Sequence, residues 1–135
     1  MSSASHGPRP KLYGLVALGS SIGALARWGI GDVMTASANG WPWPTLAVNV
    51  AGSFLIGALA ALVARHRGPL AGLPAQLLLT IGFCGSFTTF SAFSLEVLLI
   101  FQAGRPALAL SYVVASVILW LVAAWAGYAA GRQGR

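Results

Sequence analysis

The sequence predicts an all-α integral membrane protein of four transmembrane helices, the third of them broken at mid-membrane. Three observations predict it. The chain is 57% hydrophobic and 7% charged, whereas a soluble domain carries about 25% charged residues. Its apolar residues fall into four long runs, each near the roughly 20 residues that cross a bilayer. The third run is interrupted by Gly82-Phe83-Cys84-Gly85-Ser86-Phe87-Thr88-Thr89-Phe90-Ser91-Ala92-Phe93-Ser94-Leu95-Glu96, which sets glycines, hydroxyls, phenylalanines and a carboxyl group where Leu, Ile and Val are expected. Polar groups at that depth are costly and usually face a bundle interior or a water-filled path.

A length of 135 residues predicts one domain. The expected layout is a disordered tail over residues 1–10, a four-helix transmembrane unit over 11–131 and a basic tail over 132–135. The net charge of +6 raises nucleic-acid binding as a possibility. Binders of that kind cluster their cations on one face. Here Arg9, Lys11, Arg65, Arg67, Arg105, Arg132 and Arg135 sit in tails and loops, where bilayer-flanking charges are placed. No nucleic-acid partner is therefore expected. A lone Cys84 excludes an intrachain disulfide. The first apolar run is too long, and too interrupted by Arg27, to read as a cleavable signal.

The first helix is expected over residues 12–34. Gly19 and Gly23 form a small-xxx-small pair that lets helices approach closely in lipid. Arg27 in such a segment has two readings, snorkelling to the membrane edge or a structural or ion-attracting role. Asp32 and the turn Ala38-Asn39-Gly40-Trp41-Pro42-Trp43-Pro44 close the first hairpin, with Trp41 and Trp43 as interfacial anchors. Pro44 suits a helix's first turn, where its missing N–H costs nothing.

The second helix is expected over 45–64. Thr45, Asn49, Ser53 and Gly57 recur every fourth residue and share a face. The Asn49 amide offers two N–H donors and an acceptor. It suits either an interhelical hydrogen bond or donation to a passing anion. Arg65-His66-Arg67-Gly68-Pro69 then forms a basic loop.

The third segment, 74–101, would span roughly 42 Å as a straight helix, more than a hydrocarbon core of about 30 Å. Tilt would absorb the excess, and so would a break at the Gly-Ser-Phe-Thr-Thr run. Such a break frees backbone carbonyls, tolerated only in protein or beside a cavity. Gly104-Arg105-Pro106 is a tight turn, and the fourth helix is expected over 107–130. Tyr112 and Ser116 share one face there, continued by Trp120, as packing glue or as pore lining.

Enzymatic chemistry finds no footing. The two histidines lie in a tail and a loop, Asp32 and Glu96 are far apart, and no metal-ligand spacing, phosphate loop or activated nucleophile can be assembled.

Three blocks carry a resemblance: Gly23-Ala24-Leu25-Ala26-Arg27-Trp28, Thr45-Leu46-Ala47-Val48-Asn49-Val50-Ala51-Gly52-Ser53-Phe54, and the whole of residues 82–96. The chain resembles the Fluc (CrcB) fluoride channels over all four segments. The resemblance implies an antiparallel dimer of four-helix subunits with two fluoride pores, and a central sodium ion (Na+) held by main-chain carbonyls of both third-helix breaks. Residue by residue, it implies that Gly85 and Thr88 supply those carbonyls and that Phe90 and Phe93 are the pore-lining aromatic pair. Asn49 matches the family's pore asparagine, and Arg27 its first-helix arginine. Thr45, Glu96, Tyr112 and Ser116 fall on its polar track. Three positions depart: Trp120 stands where a further small hydroxyl residue is expected, Ala92 replaces a hydroxyl, and Trp28 replaces a tyrosine.

These residue types suit fluoride. The ion is small and strongly hydrated, so a pore must replace its water with donors such as the Asn49 amide and the hydroxyls of Ser, Thr and Tyr112. Aromatic rings present a positive edge, so an anion meets Phe90 and Phe93 edge-on. The implied role is passive export of fluoride across the plasma membrane, which limits the toxicity of ion trapped after neutral hydrogen fluoride enters and dissociates. Oxygen ligands suit a hard cation such as sodium.

Four crossings put both termini and the middle loop on one side. That side carries six cations, Arg9, Lys11, Arg65, Arg67, Arg132 and Arg135, against Arg105 on the other, joined by Arg27 if it reaches the edge. The bias predicts cytoplasmic termini. A chain of fixed orientation would pair with an oppositely oriented homologue, whereas one that inserted both ways would pair antiparallel with itself. Two other functions compete. A small four-helix secondary transporter of the multidrug type would need a glutamate in the first helix, where this chain has Arg27, while a fluoride/proton antiporter would use Glu96. A membrane scaffold would use the polar residues only as helix glue.

Overall fold

The computed structural model describes residues 10–34, 40–65 and 68–133. Residues 1–9 of the tail expected over 1–10, Ala38 and Asn39 of the first turn, His66 and Arg67 of the basic loop, and residues 134–135 of the tail expected over 132–135 lie outside the described residues, whereas Pro10 already opens the first helix and Arg132 and Gln133 end the last. The described chain is almost entirely helical.

Helix α1 is Pro10–Val33. Helix α2 is Trp43–Ala64, with Pro44 in its first turn. At its far end the Arg65 guanidinium donates to Gly131 O at 3.1 Å and Arg132 O at 3.0 Å. A cation placed on the last carbonyls of a helix is favourable, and here it ties α2 to the end of the last helix.

The third segment has three kinds of backbone. Its first half, residues 73–87, is labelled α3. It begins as Leu73–Ala75, widens into π-type turns over Gln76–Cys84 and tightens again at Gly85–Phe87. Thr88 (φ −81°, ψ 157°) and Thr89 (φ −149°, ψ 118°) are then extended. Helix α4 follows as Phe90–Gln102, with Thr89 Oγ1 accepting from Ala92 N–H at 3.1 Å as its N-cap. Helix α5 is Pro106–Gln133. The turn before it needs Gly104, whose φ of 73° is left-handed.

Bare backbone sets the packing. A Cβ at Gly19 would collide with the Leu78 carbonyl, and one at Gly23 with the Phe83 carbonyl, so α1 lies directly on α3. Helices α2 and α5 meet the same way, Gly57 against the Ala124 carbonyl and Gly127 against that of Phe54. Close approach over small residues is how helices associate without a hydrophobic drive between them. Helix α4 also packs on α5. Between them the core gathers Leu46, Phe93 and Tyr112, flanked by Trp41, Val50, Val97 and Trp120.

Among the described residues, Trp43–Ala64, Leu73–Gln102 and Pro106–Gln133 are long and apolar enough to cross a membrane. Helix α1, 24 residues long, falls outside that set because its glycines, serines and Arg27 dilute its apolar content. The outer faces are apolar as well: Leu25, Phe101, Leu121 and Trp125 are all exposed, a surface suited to lipid.

Candidate ion pathway

Asn49 and Thr89 are the best-defined pair in the site. Asn49 Nδ2 donates to Thr89 O at 2.9 Å, and Thr89 N–H donates to Asn49 Oδ1 at 2.8 Å. Both residues are buried. Of the two readings for Asn49, the interhelical hydrogen bond is thus present, and it leaves one amide proton uncommitted. The two bonds satisfy the peptide groups of an extended residue that would otherwise be bare, which buried backbone demands.

A second cluster joins three elements. Thr45 Oγ1 donates to Glu96 Oε1 at 2.5 Å, and Tyr112 OH donates to Glu96 Oε2 at 2.9 Å. Tyr112 is fully buried. Three residues expected on a polar track, from α2, α4 and α5, therefore share one carboxyl group. Ser116, one turn beyond Tyr112, is also fully buried. Its Oγ stands near the Tyr112 hydroxyl without completing a hydrogen bond of ordinary geometry.

The rings form a continuous line. Phe90 and Phe93 have centroids 5.6 Å apart, tilted at 48°. Phe93 lies 5.3 Å from Tyr112 and meets Trp120 edge-on at 4.9 Å and 71°. Trp41 sets itself edge-on to Tyr112 at 5.6 Å while stacking on Trp43. The two phenylalanines differ in exposure: Phe93 is 5% exposed and Phe90 71%. Phe90 thus presents its ring outside the single chain.

Cavities follow these groups. One of about 190 Å³ is lined by Asn49, Ser53, Thr88, Thr89, Phe90 and Trp120. A second, of about 120 Å³, is lined by Arg27, Gly31, Pro44, Thr45, Thr89 and Ala92. A third, of about 380 Å³, is bounded by Gly31, Pro44, Trp41 and Glu96. Thr89 is a wall common to the first and second, and Gly31 and Pro44 to the second and third. Arg27, half-buried, brings its cation to the middle cavity, where it attracts anions.

The carbonyls of Gly85 and Thr88 lose their helical donors. In an unbroken helix Thr89 N–H would bond Gly85 O, and Ala92 N–H would bond Thr88 O. Here the first goes to Asn49 Oδ1 and the second to Thr89 Oγ1. Gly85 is exposed on the surface of the single chain and Thr88 half-buried. Two oxygen acceptors released in this way suit a hard monovalent cation. The residues present therefore fit a sodium ion.

Sequence reasoning did not single out Thr89 as a site residue, although it receives both Asn49 bonds and caps α4. A Thr standing just before an apolar run is an N-cap signal. The buried Trp120 indole nitrogen was likewise hidden, because only the fold shows what surrounds it.

The family model described as CrcB-like protein, Camphor Resistance (CrcB), matches residues 14–128. A protein of Bradyrhizobium diazoefficiens named fluoride-specific ion channel FluC 1 is 40% identical over 127 residues, covering 94% of this chain and 89% of that protein. Fluoride-specific ion channel FluC of Agrobacterium fabrum is 44% identical over 121 residues, covering 88% of this chain and 94% of its own length. Its namesake in Thermus thermophilus is 45% identical over 120 residues, with the same two shares, 88% and 94%.

Proposed function

The chain belongs to the CrcB family, and on that footing we propose that it is a fluoride channel subunit through which fluoride leaves the cytoplasm passively, limiting its toxicity. It is a multi-pass membrane protein of a transport family and not an enzyme. The observation that supports the reading best is the run of cavities with common walls, lined by Asn49, Trp120, Arg27, Thr45 and Glu96, inside an otherwise apolar chain. Such a row of polar side chains is costly in a membrane protein unless an ion or water uses it.

In this reading α1, α2, α3 with α4, and α5 each cross the plasma membrane, and Thr88 and Thr89 lie at mid-depth. Two subunits pair antiparallel, one of them this chain and the other a copy or an oppositely inserted homologue, and each dimer has two pores. Arg27 raises the local concentration of anions. Fluoride exchanges its water for the free Asn49 amide proton, the Ser116 hydroxyl and the positive edges of Phe90 and Phe93. Thr45, Tyr112 and Glu96 continue the track toward the cavity beside Trp41. The exposed Phe90 ring is completed by the second subunit. Sodium held by the Gly85 and Thr88 main-chain oxygens would supply the positive charge that keeps two sets of carbonyls together at the interface. Where this chain inserts in one orientation and pairs with the homologue, its termini face the cytoplasm.

The test is efflux from liposomes loaded with fluoride at equal pH on both sides, followed with a fluoride electrode. A channel empties the protein-containing vesicles rapidly once the membrane potential is clamped. Flux that requires a pH gradient would reject the channel in favour of a fluoride/proton antiporter, and an intact gradient would favour a scaffold.

A further inference from the structure

Two polar atoms of α5 are buried without a hydrogen-bond partner, Ser116 Oγ and Trp120 Nε1. They sit one turn apart on the face that carries Tyr112. The indole nitrogen matters more, because it can only donate. A buried donor without an acceptor is costly, and a hydroxyl can turn to relieve that cost where an indole cannot.

The neighbouring donors are already engaged. Thr45 and Tyr112 donate to Glu96, Thr89 N–H to Asn49, and one Asn49 amide proton to Thr89. What remains near the rings includes the Ser53 and Ser116 hydroxyls, the second Asn49 amide proton and Trp120 N–H. Asn49, Phe90 and Trp120 line one cavity of about 190 Å³. The edge-on contact with Phe93 accounts for where the Trp120 ring lies, yet it offers the N–H at most a weak π-face acceptor.

We propose that Trp120 is a specificity-determining residue of the conduction path, its Nε1–H donating to fluoride at the cavity shared with Asn49. This rests on the fluoride-channel reading. A hydroxyl at such a point offers a lone pair to a cation as readily as a proton to an anion. An indole N–H offers only the proton, so this donor serves an anion and not a cation.

The test uses full-length protein carrying 15N in its tryptophan indoles, with the Trp120 signal assigned by its loss in Trp120→Phe. Sodium fluoride is titrated against sodium chloride. Fluoride should move the Trp120 Nε1–H proton downfield and saturably, chloride should not, and the exposed Trp125 should stay still. In liposome efflux, Trp120→Phe keeps a ring against Phe93 but lacks the donor, and should conduct about tenfold more slowly, the loss expected for one charge-assisted hydrogen bond. Trp125→Phe should match the wild type. A Trp120 signal indifferent to fluoride, or equally responsive to chloride, in protein that conducts would overturn the proposal and leave the channel reading standing. So would slow flux in Trp120→Phe without that shift, which marks a packing role. Wild-type protein that conducts no fluoride removes both.

Discussion

Asn49 holds Thr89 by both ends of its amide, donating to the Thr89 carbonyl at 2.9 Å and accepting from the Thr89 N–H at 2.8 Å. That pair fixes the one stretch of the third segment whose backbone is extended, and it diverts the proton that Gly85 O would otherwise receive. Position 49 therefore governs the shape of the segment as well as the lining of the cavity.

Asn49→Ala should strand the buried peptide groups of Thr89. Each unsatisfied group costs about 1–3 kcal/mol, so with two of them the variant should be less stable by about 2–6 kcal/mol. Thermal unfolding in detergent measures it. A midpoint equal to that of the wild type would mean that water replaces the amide.

The Thr45–Glu96–Tyr112 cluster predicts coupling. Thr45→Val and Tyr112→Phe each remove one hydrogen bond to the same carboxyl group, at about 1–2 kcal/mol apiece. Groups in one network deviate from additivity by roughly 0.5 kcal/mol or more. A double-mutant cycle that closes to zero would place the two hydroxyls in separate environments.

Glycine packing gives a contrast within one helix. Gly23→Ala would drive a methyl group into the Phe83 carbonyl, whereas a Cβ at Gly14 meets nothing within 4 Å. The first should destabilise by about 1–3 kcal/mol. The second should be neutral, or stabilising by up to about 1 kcal/mol from helix propensity. Equal effects at the two sites would contradict the close seating of α1 on α3.

These cases also mark what the sequence makes legible. Long apolar runs, Pro44 in a first turn and the small pair Gly19 and Gly23 are local patterns, and each has its counterpart in the fold. The extended backbone lies within the Gly-Ser-Phe-Thr-Thr run because those residues favour leaving a helix. Other features depend on partners far along the chain. Asn49 meets Thr89 across 40 residues, and Thr45 meets Glu96 across 51, so no window of sequence contains both halves. The wide turns over Gln76–Cys84 have no periodic signature, and the ring contact of Trp41 with Tyr112 joins residues 71 positions apart.

Sodium removal tests the proposed interface ion. A ligand that binds only the assembled state stabilises it as its concentration rises above its dissociation constant. Exchanging sodium for a bulky organic cation should therefore lower the unfolding midpoint. No dependence on sodium, at any concentration down to chelated traces, would remove the carbonyl site from the account.

Charge placement predicts orientation. Gln133→Cys and Gln102→Cys put thiols near opposite ends of the helices, while native Cys84 is buried. An impermeant reagent applied outside intact cells should label the second far more than the first, since cations flank the cytoplasmic side. Equal labelling of both would mean insertion in both directions.

The most direct test of the central claim is fluoride efflux from liposomes, wild type against Phe90→Ile and Asn49→Ala, with each variant first shown to be folded and reconstituted. The account predicts rapid efflux for the wild type and strong loss in both variants. Near-normal efflux in both would contradict it, because the ring edge and the amide would then have no part in carrying the ion.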